Sequence, residues 1–167
     1  MAKHSAGIVL YRKAQAGYEV LLVHPGGPFW AKKDLGSWSI PKGEFDPDEE
    51  VLAAAKREFE EEVGSPAPEG AYTFLAETKY GNKTVHAFAL EADFNLEHFA
   101  SNTFQMEWPP KSGTMQQFPE NDKAAWFPLA TAKQKLVKGQ VPIIEALATK
   151  VGDALDEESP KPQISLF

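Results

Sequence analysis

Cysteine is missing from this sequence altogether, which excludes disulfides and thiolate metal sites and leaves oxygen and imidazole as the available metal ligands. Histidine is scarce. His4, His24, His86 and His98 show no pairing at ligand spacing, so no metal role falls to them, and any resident ion is expected to be a hard, oxygen-bound one. No run approaches the roughly 20 apolar residues that cross a bilayer. The N-terminal MAKHSAGIVLYRK also lacks the long apolar core and small-residue cleavage site of a secretory signal. The expectation is a cytoplasmic protein with no membrane partner. An excess of basic residues is absent too. The formal net charge is −7, which argues against a nucleic-acid duplex as partner, because such binding needs a basic face to displace counterions.

What remains is the usage of an ordinary globular chain, with 43% apolar and 25% charged residues over 167 positions, enough to bury a core without a cofactor. One domain is expected over residues 1–155, followed by a mobile tail, DEESPKPQISLF, over 156–167; the oligomeric state is not legible. Strands are expected from Ala6 to Tyr11 and from Tyr18 to His24, joined through AQAG. After a Gly- and Pro-rich loop, PGGPFWAKKDLGS, the residues Trp38 to Ile40 predict a short strand leading into Pro41, Lys42 and Gly43. The segments AYTFLAETKY and KTVHAFALEA around Gly81-Asn82 predict a hairpin. From Phe94 to Pro119 the pattern dissolves into a long irregular stretch. A strand at Ala125 to Phe127 and helices at Thr131–Val137 and Pro142–Val151, separated by Gly139, close the chain.

The segment GEFDPDEEVLAAAKREFEEEVGS, Gly43 to Ser65, concentrates the charge. Asp46 as cap, Pro47 at the first helical position and Glu49 three residues after the cap predict a helix start. Gly64, Pro66 and Pro68 end it at Val63. Leu52, Ala55, Phe59 and Val63 share an apolar face. Glu58, Glu61 and Glu62 fall in one sector roughly opposite the Leu52 and Phe59 stripe. Such a cluster is either a solvated acidic face or a cation site. Like charges at these spacings repel by a few tenths of a kcal/mol per pair, and a divalent cation reverses that sign. All-oxygen ligands suit Mg²⁺ or Mn²⁺. Arg57, four residues before Glu61, is placed to pair with it and fix its orientation.

The wider spacing decides between the two. Gly43, five residues, Glu49, seven residues, Arg57-Glu58-Phe59, one residue, Glu61-Glu62, one residue and Gly64 together resemble the signature of the Nudix hydrolases. The one departure is Ser65, in place of the usual apolar residue, which touches packing rather than ligands. The resemblance implies an α/β (α+β) fold of the Nudix type, an α/β/α sandwich with a mixed β-sheet between helices. It also implies divalent-metal-dependent hydrolysis of the pyrophosphate linkage in a nucleoside diphosphate joined to another moiety. Carried over by motif position, Glu58, Glu61, Glu62 and the Gly43 carbonyl would hold Mg²⁺ (or Mn²⁺), Arg57 would orient a carboxylate, and Glu49 would support the loop and helix.

Outside the signature, WSIPKGE resembles the version in the branch that acts on diadenosine polyphosphates and related nucleotides, which implies that Lys42 points at a phosphate. KTVHAFAL resembles a strand of the same branch, making Lys83 a phosphate contact and Tyr80 a base-stacking residue. Glu120, six residues before Trp126 in FPENDKAAWF, resembles the Glu that precedes a Trp in diadenosine tetraphosphate hydrolases, and is expected to serve as general base or extra metal ligand. Glu107 in MEWPP is the rival. Trp108, in the irregular stretch, either stacks on an adenine or packs its own loop. The expected partner is therefore a small nucleotide, with diadenosine polyphosphate-like substrates favoured. The alternatives are an NTP or oxidised-nucleotide pyrophosphohydrolase of the MutT type, or a non-catalytic nucleotide-sensing module.

Overall fold

The computed structural model describes residues 2–155 and 163–166. Two strands open the chain, β1 (Lys3–Ala14) and β2 (Gly17–Pro25), followed by the short β3 (Lys42–Glu44) and the helix α1 (Val51–Val63). The hairpin β4 (Thr73–Tyr80) and β5 (Lys83–Glu91) stands where the turn at Gly81-Asn82 placed it. Then come β6 (Thr103–Glu107), β7 (Met115–Pro119), β8 (Asn121–Pro128), α2 (Leu129–Lys135), α3 (Val141–Val151) and β9 (Gln163–Leu166).

Seven strands form one sheet in the order β4-β5-β1-β2-β8-β9, with β3 paired to β1 off that path. β1 and β5 run parallel and the other pairs antiparallel, so the sheet is mixed. Alternation along β1 splits the core into two layers. Ala6, Ile8 and Leu10 face α1 through Ala54, Ala55, Phe59 and Val63. Val9 and Tyr11 face α2 and α3 through Leu129, Ala132, Ile143, Ile144 and Leu147. The sandwich of helix, mixed sheet and helices is the expected architecture.

Strand β1 splits its pairing in a way that positions the acidic segment. Its second half pairs with β2, but Ser5, Ala6 and Gly7 pair with Glu44, Gly43 and Lys42 of β3. A Cβ on Gly7 would lie 2.8 Å from Ile40 Cδ1, Lys42 Cβ and the Pro41 oxygen, so only glycine admits this close approach. The sheet thus parts at one end, and β3 with its loop occupies the opening.

Two expectations are corrected. The helix begins at Val51 rather than beside Pro47, because Glu50 caps it, its carboxylate accepting from the amides of Leu52 and Ala53. Asp46 and Glu49 form a separate turn ahead of it, with the Glu49 N–H donating to the Asp46 carbonyl at 3.0 Å. The stretch 94–119 is not structureless, since β6 and β7 pair along five residues in a two-stranded sheet of their own. Their polar, half-exposed alternation carries too little hydrophobic signal to read as strands. Of residues 156–167, Gln163–Leu166 pair with Lys123–Trp126 at the edge of the main sheet; the others lie outside the described residues. Among the described residues no helix is long and apolar enough to cross a membrane.

Gly64 ends α1 in the left-handed conformation, with φ of 81°, and a Cβ there would sit 2.0 Å from the Ala100 carbonyl oxygen. Gly64→Ala is therefore expected to cost about 2 kcal/mol or more, read in thermal unfolding as a fall in Tm of roughly 4–8 °C.

Candidate active site

Helix α1 turns its carboxylates toward the opening held by β3. Glu58, predicted on the polar face, is buried, and its carboxylate lies against Gly43, where a Cβ would come within 1.9 Å of Oε2. Glycine at position 43 is what lets the carboxylate reach the β3 backbone. The apolar face shifts to match, with Ala54 joining Ala55, Phe59 and Val63 while Leu52 stays half-buried.

Arg57 organises this cluster from outside. Its Nη2 and Nε donate to the two Glu49 oxygens at 3.0 and 3.1 Å, and its Nη1 donates to Glu58 at 2.8 Å and more weakly to Glu61 at 3.4 Å. The expected Arg57–Glu61 pair is present as the weakest of these contacts. The fork to Glu49 is bidentate, which fixes both position and plane of the guanidinium.

Burial and the neighbouring Glu61 push Glu58 above its ordinary carboxylate value, against the pull of Arg57. Glu62 goes further. Burial raises it to about 7, opposed by the hydrogen bond from Asn121, with Glu120 raising it again. Asn121 Nδ2 donates to Glu62 Oε2 at 2.6 Å, and the Lys42 amide also donates to that carboxylate. Two acids held under cover and facing like charges are poorly stabilised as anions. The donor set, Glu58, Glu61, Glu62 and the Gly43 carbonyl, is all oxygen and suits a hard divalent cation. Among the described residues no three carboxylate or imidazole side chains are already gathered into a cage, so the fit is one of chemistry and proximity.

Beside the helix opens a cleft of about 520 Å³. Lys42, Glu62, Tyr80 and Lys83, four residues named from the sequence, all line it. Burial holds the Lys42 ammonium below its ordinary value, against the attraction of Glu62 and with the repulsion of Lys83. Lys42, Gly43 and Lys83 also share a smaller hollow at the start of β1. Glu120, exposed at the end of the β7–β8 connection, acts electrostatically on Glu62. Glu107 is spent elsewhere, accepting from the amides of Lys111 and Gly113 at 2.9 and 3.1 Å. Trp108 does not line the cleft and packs edge-on against Phe29, with ring centroids 5.4 Å apart. Glu61 also stays outside the lining, turned toward Arg57.

The sequence reading missed Asn121, Trp30 and Lys138, all of which line the cleft. Asn121 had a weak signal, its place next to Glu120. Trp30 and Lys138 had none, since each sits in a loop whose position depends on the whole fold. The four histidines are likewise outside the cation cluster. His24 is fully buried, with Nδ1 2.7 Å from Asp122 and Nε2 2.5 Å from the Lys33 carbonyl. His4 and His86 lie 3.0 Å apart nitrogen to nitrogen on adjacent strands.

A family model described as the NUDIX domain matches residues 1–147. A search of curated protein sequences finds no significant match. Solved structures with the same fold include a C. elegans Ap4A hydrolase binary complex, at 20% identity and TM-score 0.57, covering 90% of this chain and 98% of that one. The NUDIX domain of Shewanella oneidensis NrtR complexed with ADP ribose aligns at 17% identity and TM-score 0.60, over 90% and 88%. A Nudix hydrolase from M. Smegmatis, RenU, aligns at 23% identity and TM-score 0.55, over 90% and 86%. This chain therefore belongs to the Nudix family.

The raised Glu62 sets a pH dependence for the metal-free protein. Its folded value of about 7 exceeds the unfolded reference of 4.5, so the folded state binds the proton more tightly. That contribution is complete below pH 4.5 and is lost as pH rises through 7. In the presence of a chelator, stability is expected to fall between pH 5 and 8 by on the order of 2 kcal/mol from this group. Glu62→Gln should flatten the slope, as measured by chemical denaturation across that range.

Proposed function

We propose that the protein hydrolyses the phosphoanhydride linkage of nucleoside or dinucleoside polyphosphates with the help of a divalent cation, Mg²⁺ or Mn²⁺, diadenosine polyphosphate-like compounds being the favoured substrates. The observation that carries this reading is the convergence of Lys42, Lys83, Tyr80 and Glu62 on one cleft beside the acidic helix. Two ammonium groups, an aromatic ring and a carboxylate match the charge, the base and the reacting end of a nucleotide.

In this reading Glu58, Glu61, Glu62 and the Gly43 carbonyl hold the cation. When bound, it neutralises phosphate oxygens and makes the attacking water more acidic. Arg57, fixed by Glu49, keeps Glu58 and Glu61 oriented. Lys42 and Lys83 hold the phosphate chain, and Tyr80 offers its ring to a base. Glu120 accepts the proton from the attacking water; its influence on Glu62 supports this role, and the engagement of Glu107 with the Lys111 and Gly113 amides weighs against the rival. Trp108 is left out of this substrate set, since it packs edge-on against Phe29 and does not line the cleft. The likeness to the Ap4A hydrolase fold agrees with this choice of substrate without fixing it.

The purified protein with Mg²⁺ or Mn²⁺ is expected to convert at least one of diadenosine polyphosphates, NTPs or oxidised nucleotides into smaller nucleotides or phosphates. A folded protein that converts none of them, yet binds them, would identify a nucleotide sensor instead. Glu61→Gln should lower kcat by roughly 10–100-fold, as for a perturbed metal site. Glu120→Gln should lower kcat by about 10²-fold or more, the scale of a lost general base. Glu107→Gln, by contrast, should lower thermal stability and leave kcat near the parent value; equal kinetic losses at the two positions would refute the assignment of the base.

A further inference from the structure

Two exposed aromatic side chains line the cleft, one at the end of a strand and one on a loop. Tyr80 closes β4 and is 61% exposed. Its ring lies over the Gly139 backbone, where a Cβ would come within 2.8 Å of Tyr80 Cβ and 3.1 Å of Cγ. Trp30, 39% exposed, belongs to the loop that follows β2. Between β4 and β2 the sheet places β5 and β1. Of these, β5 carries Lys83, and β3, paired to the start of β1, carries Lys42.

The loop carrying Trp30 is anchored along its length. The Gly26 amide donates to the Glu120 carbonyl at 2.8 Å, and the Lys33 amide donates to the Trp30 carbonyl at 2.9 Å. His24 holds the Lys33 carbonyl. Asp34 accepts from Trp38 Nε1 at 2.8 Å and pairs with Lys135. Gly27 packs against the Phe104 ring closely enough that a Cβ would meet it at 2.9 Å. The indole is therefore held at the cleft wall by a fixed backbone, and its exposure does not arise from a free loop. Lys33 Nζ stands 5.0 Å from the indole centroid, occupying one face and leaving the other for a second partner.

The cleft is also lined by Lys83 from β5, Lys42 from β3 and, beside Gly139, Lys138. Three ammonium groups in a chain of net charge −7 mark a path for several phosphates. Stacked rings need centroids about 4.5–7 Å apart. Rings rooted on elements with lysine-bearing strands between them suit the two ends of a polyphosphate better than the two faces of one base.

We propose that Trp30 is a second base platform, so that the cleft takes a polyphosphate carrying an aromatic base at each end, one on Tyr80 and the other on Trp30. This rests on the nucleotide reading above and narrows it to two-base substrates. Trp30 is then the residue that sets preference for dinucleoside over mononucleoside polyphosphates.

The test is the ratio of kcat/KM for diadenosine tetraphosphate to that for ATP, measured on the full chain with Mg²⁺. Base–aromatic stacking sets the expected scale, and Trp30→Ala should lower this ratio about tenfold or more, through KM of the two-base substrate. Trp30→Phe should restore most of it, which controls for folding. An unchanged ratio in folded Trp30→Ala, or equal losses on both substrates, overturns the proposal. Should the wild-type protein turn over neither nucleotide, calorimetric titration with the same two compounds still decides. A Trp30-dependent preference for the two-base ligand keeps this inference while the hydrolytic reading falls. Equal affinities in wild type and Trp30→Ala sink the inference alone.

Discussion

The structure turns on how it tolerates acidic side chains under cover. Glu58 is buried against the Gly43 backbone and Glu62 is held by Asn121 and the Lys42 amide. Neither arrangement is favourable for an anion without a compensating positive charge. One arginine supplies part of that compensation, by bridging Glu49 ahead of the helix to Glu58 and Glu61 on it. The remaining imbalance is what sets this cluster apart from an ordinary solvated helix face. A stable fold with a deliberately underneutralised corner is a common arrangement at sites of chemistry.

The parted end of the sheet gives that corner its position. Because β1 pairs with β2 along one half and with β3 along the other, the short β3 strand can enter the opening and bring Lys42 and Gly43 beside the helix. Gly7 and Gly43 permit the two close approaches involved, one between strands and one between strand backbone and carboxylate. Larger side chains at either position would separate elements that have to touch. The same opening continues into the cleft, so the acidic cluster and the cleft share a wall through Glu62 and Lys42.

Around that wall the peripheral elements have distinct roles. The hairpin of β6 and β7 supports the loop after β2, through Phe104 against Gly27 and Trp108 against Phe29. The turn between α2 and α3 supports Tyr80 through Gly139. Buried His24 ties the same loop to Asp122, the residue after Asn121. The aromatic and cationic groups of the groove are thus carried by loops, and the core strands and helices hold those loops in register.

The spacing of Gly43, Glu49, Arg57, Glu58, Glu61, Glu62 and Gly64 determined the family, because each position answers a local requirement: close approach, a fork for arginine, one helical sector and a left-handed stop. Strong periodicity likewise made β1, β2, the β4–β5 hairpin, α1 and the closing helices legible, since alternation and the 3.6-residue repeat are properties of neighbouring residues. The true helix start escaped because Asp46, Pro47 and Glu49 carry the local marks of a cap, whereas in the fold Glu49 is taken by the Arg57 fork and Glu50 caps the helix. Trp30, Asn121 and Lys138 escaped for a different reason. They come from segments far apart in the chain, and their convergence depends on strand order and loop anchoring, which no local pattern encodes. The sequence by itself specified which chemistry is present, while the tertiary structure decided which of those groups meet around a substrate, because distance between remote segments is settled only when the sheet closes.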